Sequence, residues 1–181
     1  YTNTKRVITE RQPARRLFMR LKLQTKIVLT MTAVLLITGF LGFFILEYKN
    51  PETMGGLNFW QKLMASGFQS VTTRTAGFAS VSQAGLTSGS KLLACILMFV
   101  GGSPAGTAGG VKTTTVAMLL LTCLGVLKGK RDTECFGRKI EPSIVRSGIA
   151  IILLTFLFWL SGVTLITVLE PQVDFLRIMY E

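Results

Sequence analysis

The chain contains no histidine and only three cysteines, Cys95, Cys123 and Cys135, none in a Cys-x-x-Cys spacing. A histidine general base is therefore unavailable, and neither a disulfide nor a metal framework is indicated. Two of the cysteines lie in apolar surroundings, where cysteine behaves as a small hydrophobe. Acidic residues are scarce too, nine Asp and Glu against 20 Lys and Arg, which leaves a formal net charge of +11. With the usual parts of an active site missing, no enzymatic activity and no cofactor are expected. A positive balance of this size can mark a nucleic-acid binder, but its distribution argues otherwise. Eight of the basic residues fall in residues 1–26 and six more in 128–146. Both groups flank apolar runs, so membrane lipid with anionic headgroups, not nucleic acid, is the expected partner.

Charge is absent altogether from two long runs. Ile27–Leu46 gives 20 uncharged residues and Ser147–Leu169 gives 23. About 20 apolar helical residues cross the hydrocarbon core of a bilayer. The first run follows a long basic arm and is too long for the apolar region of a cleaved signal peptide. The expected fold class is an all-α membrane protein. The positive-inside rule puts the N-terminal arm and residues 128–146 in the cytoplasm. The stretches around Glu47, Lys49 and Glu52, and around Glu170, Asp174 and Arg177, are charge-balanced or acidic, as outside loops should be.

Four segments follow. Residues 1–25 form a basic cytoplasmic arm. Residues 26–129 form a unit of membrane helix, pore helix and broken membrane helix. Residues 130–143 are a cytoplasmic linker, and residues 144–181 hold one further transmembrane helix and the start of the next pore segment. In the second segment, Asn50-Pro51 and Gly55-Gly56 mark a turn. Leu57–Val71 then carries Phe59, Trp60, Leu63, Met64 and Phe68 at helical spacing, with a length that suits a re-entrant helix. It runs into Thr72–Phe78. A short helix ending in a Thr-Ala-Gly turn between two crossings can present backbone carbonyls that replace the water shell of an ion. Gly77 alone there can take whatever torsions a carbonyl ring requires. An ordinary turn after a surface helix is the plainer alternative, and placement between spans is what favours a filter. Arg74 either anchors the end of the pore helix or faces water at the outer mouth, and no conduction role is assigned to it.

The next crossing is interrupted. Lys91–Val100 and Val116–Leu127 are apolar halves, each too short to span a bilayer alone. Between them Gly101-Gly-Ser-Pro-Ala-Gly-Thr-Ala-Gly-Gly-Val-Lys-Thr-Thr-Thr115 holds five glycines and a proline, which excludes continuous helix. Irregular backbone at membrane depth is tolerated only where protein buries it or a watery cavity meets it, and a broken helix points to a transport pathway. Lys112 then lies near mid-bilayer, a costly position that is functional by default. It would hold loop carbonyls or set an electrostatic barrier, unless it snorkels towards the cytoplasm. The competing assignment is a membrane-anchored nucleotide-binding protein, with Leu92–Val100 as strand and Gly106–Thr113 as phosphate loop. A Walker A motif, however, needs glycine where Val111 stands, and no acidic residue follows within the next dozen apolar positions to hold magnesium. A non-conducting helical assembly module is the third candidate.

Ser70-Val-Thr-Thr-Arg-Thr-Ala-Gly-Phe78 and the glycine-rich run Gly101–Thr115, in this order and spacing, resemble the Trk/Ktr/HKT superfamily of potassium transporters, and most closely its bacterial Ktr-type membrane subunits. The resemblance covers the chain from Arg15 onward. It implies four membrane–pore–membrane repeats around one permeation path, of which this chain is similar to the third repeat plus the first helix of the fourth. It maps the filter onto Thr75, Ala76, Gly77 and Phe78, with potassium held by backbone carbonyls of Thr75, Ala76 and Gly77. It maps an intramembrane gating loop onto Gly101, Gly102, Ser103, Gly106, Gly109, Gly110, Lys112 and Thr113. The implied function is potassium uptake across the plasma membrane (the bacterial inner membrane), with potassium as substrate and sodium coupling left open. The implied partners are the remaining repeats of the same subunit, a second membrane subunit in a homodimer and a cytosolic nucleotide-binding regulatory subunit. With the other three filter segments absent, the chain as given cannot close a pore and is expected to be a fragment.

Overall fold

The computed structural model describes residues 21–74, 76–103, 109–129, 134–135, 138–173 and 175–180. Among these residues six helices follow in order: α1 (Leu23–Glu47), α2 (Phe59–Thr72), α3 (Ser88–Phe99), α4 (Thr113–Leu127), α5 (Pro142–Leu169) and α6 (Phe175–Tyr180). The architecture is that of an all-α membrane protein. Within the stretch expected as a linker there is also a two-residue antiparallel ladder, β1 (Glu134–Cys135) against β2 (Arg138–Lys139), pairing Glu134 with Lys139 and Cys135 with Arg138. Most of the expected basic arm, together with Thr75 and Gly106, lies outside the described residues.

Helices α1 and α5, 25 and 28 residues long, are long and apolar enough to cross a membrane. Helix α5 starts five residues before its uncharged run. Pro142 suits the first helical turn, where its missing N–H costs nothing, and exposed Ser143, Arg146 and Ser147 belong to the helix as well. Val163 is the one buried residue of α5 among those described, so nearly its whole circumference is apolar and uncovered.

The spine of the fold is α1. Its C-terminal half packs on α3 through Phe43, Ala94 and Leu97, and its N-terminal half packs on α4 through Ile27 and Ala117. The two halves of the broken crossing thus lie along one continuous helix, at opposite ends of it. At 1.5 Å per residue, α3 and α4 measure about 18 and 22 Å, each short of the roughly 30 Å hydrocarbon thickness. Where they meet, Val100 and Val111 form an isolated parallel bridge, and the Val111 amide donates to the Phe99 carbonyl at 3.0 Å. The glycine-rich loop therefore leaves and rejoins the crossing at nearly one point.

Helix α2 shows the reverse of a soluble amphipathic helix. Its buried residues are Lys62, Ser66, Gln69, Ser70 and Thr72, whereas Phe59, Trp60, Met64, Phe68 and Val71 are exposed. The polar side is satisfied against α1 and the loops around it. The Ser70 hydroxyl donates to the Leu36 carbonyl at 2.8 Å. Gly39 makes this approach possible, since a Cβ there would lie 2.5 Å from Ser70 Oγ. The Asn58 amide donates to Gln61 Oε1 at 3.0 Å and so ties off the start of the helix.

Glu47 departs from its expected place among exposed loop charges. It is fully buried at the end of α1. Its Oε1 accepts the Thr87 amide at 2.9 Å and the Thr87 hydroxyl at 2.8 Å. Its Oε2 accepts Asn50 Nδ2 at 2.6 Å and the Thr53 hydroxyl. The carboxylate thereby joins the end of α1, the turn after it and the N-cap of α3. Burying a carboxylate is costly unless it is hydrogen-bonded on this scale.

Candidate functional site

Two segments singled out by sequence, the turn after α2 and the glycine-rich loop, come together around one cavity. The turn is built by Thr72. Its carbonyl accepts the Ala76 and Gly77 amides at 3.1 and 3.3 Å, and its hydroxyl oxygen accepts the Phe78 amide at 2.8 Å. The same hydroxyl donates to the Phe78 carbonyl. One threonine thus consumes three consecutive N–H groups and folds the chain back over the helix end. Gly77 has φ +74°, yet a Cβ on it would meet nothing within 4 Å among the described residues. Glycine is required there by backbone conformation and not by lack of space. Ala76, Gly77 and Phe78 are all exposed. Phe78 differs from its expected filter companions in that its carbonyl is already engaged by Thr72.

A cavity of about 300 Å³ lies beside this turn. Thr72, Thr73, Gly77, Phe78 and Ala79 line it together with Met98, Gly109 and Gly110. Gln83 and Tyr180 complete the wall. Arg74 reaches across as well, with Nη2 3.5 Å from the Gly101 carbonyl. This contact runs to the first residue of the glycine-rich loop, and the buried Arg74 Nε has no hydrogen-bond partner among the described residues.

The base of that loop is a close backbone contact. A Cβ on Gly101 would sit 1.7 Å from the Gly109 carbonyl oxygen, and one on Gly110 2.9 Å from that of Phe99. Gly102 and Ser103 are half-buried, and the Gly102 carbonyl accepts the Thr113 amide at 3.3 Å. Thr113, expected in the loop, is the first residue of α4. It is fully buried, and its hydroxyl has no hydrogen-bond partner among the described residues. Lys112 is half-buried directly before α4. The phosphate-loop alternative needed a strand at Leu92–Val100. Ser88–Phe99 is helix instead, and Val100 alone has an extended pairing.

Sequence reasoning missed Thr72, Gln69, Gln83 and Tyr180 as builders of the site. Gln69 is fully buried, with Nε2 donating to Gln83 Oε1 at 3.0 Å. The Tyr180 hydroxyl donates to the same oxygen. The available signal was a run of polar residues on one face of a helix placed between membrane crossings, where each buried polar group calls for a partner.

A family model described as "Cation transport protein" (TrkH) matches residues 4–181. The chain is 39% identical over 166 residues to Ktr system potassium uptake protein B of Bacillus subtilis (strain 168), covering 92% of this chain and 37% of that protein. It is 35% identical over 151 residues to the potassium/sodium uptake protein NtpJ of Enterococcus hirae, covering 83% of this chain and 33% of that protein. Against Ktr system potassium uptake protein D of Bacillus subtilis (strain 168) it is 30% identical over 157 residues, covering 87% and 34% respectively. The chain thus spans about a third of the length of these curated relatives. On the family match and these identities, the chain belongs to the TrkH family of cation transport proteins.

Proposed function

We propose that this chain supplies one quarter of a carbonyl-lined filter and one gating loop to a potassium uptake protein of the plasma membrane. The observation that carries this reading is the shared cavity of about 300 Å³, which Gly77 and Phe78 line together with Gly109 and Gly110. A filter turn above a loop that can fold across the path is the minimal arrangement for selecting and then gating an ion. Supporting it are a left-handed glycine at the tip of the turn and a broken crossing laid along a continuous one. Selectivity in such a site follows from the number and field strength of backbone carbonyls. The carbonyls of Thr75, Ala76 and Gly77 are the proposed ligands, with Phe78 locking the turn through Thr72. Gly101, Gly102, Ser103, Gly106, Gly109, Gly110, Lys112 and Thr113 form the proposed gating segment. Three further repeats of the same subunit would complete the ring. A second membrane subunit and a cytosolic nucleotide-binding subunit are the further partners, and the basic residues of the N-terminal arm and of 128–146 face the cytoplasm.

The test is Gly77→Asp in the full-length protein, expressed in cells that depend on it for growth at limiting potassium. Loss of uptake at normal membrane abundance is expected, because a carboxylate at the tip both strains the turn and traps cations. Uptake equal to that of the unaltered protein would place the turn off the ion path.

A further inference from the structure

The geometry points to Gln69, Gln83 and Tyr180 as a positioning bridge that sets the ion preference of the filter turn from the neighbouring repeat; this rests on the filter assignment proposed above. Gln69 belongs to the pore helix, Gln83 to the arm that leaves the turn, and Tyr180 to the segment that opens the next repeat. The two amides bond reciprocally, Gln69 Nε2 to Gln83 Oε1 at 3.0 Å and Gln83 Nε2 to Gln69 Oε1 at 3.4 Å. Gln83 Nε2 also donates to the Val81 carbonyl at 3.0 Å, and the Tyr180 hydroxyl donates to Gln83 Oε1. The phenol ring rests on the cluster formed by Phe43, Ala94 and Leu97. Tyr180 is therefore seated in the core of the repeat while its hydroxyl holds the exit arm.

Gln83 is the critical link because the arm has so few others. Thr72 fixes Phe78 at one end, and Asn50 Nδ2 holds the Gly85 carbonyl at 2.7 Å at the other. Among the described residues between them, Gln83 makes the polar ties to the rest of the molecule. Gln83 and Tyr180 also line the cavity that Gly77 and Phe78 line. A shift of the arm at Gln83 is transmitted to Gly77 through five intervening residues of exposed or half-buried loop. A buried amide that loses a partner costs more than the bond was worth, so removing one member displaces the arm instead of leaving it in place. In a filter of backbone carbonyls, displacement of that kind alters which cation fits best.

The experiment uses the full-length protein in membranes and reads potassium-over-sodium preference by competition, beside maximal rate and abundance. Tyr180→Phe removes one oxygen and keeps the ring on its cluster, and Gln83→Leu removes both amide functions. Tyr180→Phe is expected to lower the preference about fivefold, the effect of one lost hydrogen bond, and Gln83→Leu, which also loses the bonds to Gln69 and Val81, by at least as much, each with a smaller change in maximal rate. Gln83→Glu, which keeps the acceptor for Tyr180, is expected to restore part of the loss. Thr164→Val, which deletes an exposed hydroxyl bonded only within α5, serves as the neutral control. Unchanged preference in Tyr180→Phe, which has the least reason to misfold, overturns the bridge. If Gly77→Asp abolishes uptake while both bridge variants match the unaltered protein, the bridge alone fails. If Gly77→Asp transports normally, the filter assignment fails.

Discussion

Gly77 offers the sharpest test of why the turn after α2 has the sequence it has. Its φ of +74° is left-handed, and a Cβ would meet none of the described atoms within 4 Å. Substitution there is therefore a nearly pure backbone perturbation. Holding an alanine in this region costs about 1–2 kcal/mol, a factor of roughly 5 to 30 in the population of the native turn. Asparagine visits the same region more readily than other non-glycine residues, so Gly77→Asn should cost less than Gly77→Ala despite its larger side chain. Gly77→Val, β-branched, should cost the most. Competitive rubidium uptake by the full-length protein, normalised to membrane abundance, gives the order through apparent affinity and potassium-over-sodium preference. The expected order is glycine best, then asparagine, alanine and valine. If asparagine is worse than alanine, side-chain size governs the site and the conformational explanation is wrong.

Glu47→Gln would place an amide N–H2 against two of the four donors now facing the carboxylate. A cost of about 1–3 kcal/mol is expected, visible as a lower unfolding temperature in detergent, whereas exposed Glu52→Gln should change little. Gly39→Ala would set its methyl 2.5 Å from Ser70 Oγ, and overpacking of this kind costs about 1–3 kcal/mol. The double variant with Ser70→Ala should lose less than the sum of the single changes, measured in the same melt. Gly101→Ala would put a methyl 1.7 Å from the Gly109 carbonyl oxygen, a backbone atom. It should open the loop base and change the gating of uptake, seen as potassium leak from loaded proteoliposomes.

The helices were legible because their determinants are local. Uncharged runs, a glycine-rich interruption and flanking basic residues locate α1, α3, α4 and α5 to within a few residues. The start of α5 was displaced because Pro142, Ser143 and Arg146 are compatible with helix without being apolar, and hydropathy alone cannot register them. The turn at Gly77 was legible for the same local reason, since its glycine reports a torsion. What escaped was long-range pairing. Nothing near Glu47 in sequence announces Thr87, 40 positions away, as its partner. Nor does Gln83 announce Tyr180, 97 positions on. Such partnerships depend on which helices share α1, and only the assembled fold reveals that.

Because Val100 and Val111 sit side by side, the glycine-rich interruption is a detour attached to the crossing at a single junction. Closing a loop of different length at that junction changes its entropy only slowly. Insertions or deletions within the detour should leave α3 and α4 where α1 holds them, while altering the cavity wall at Gly109 and Gly110. Variation in detour length is thus a change the packing of α3 and α4 on α1 can absorb.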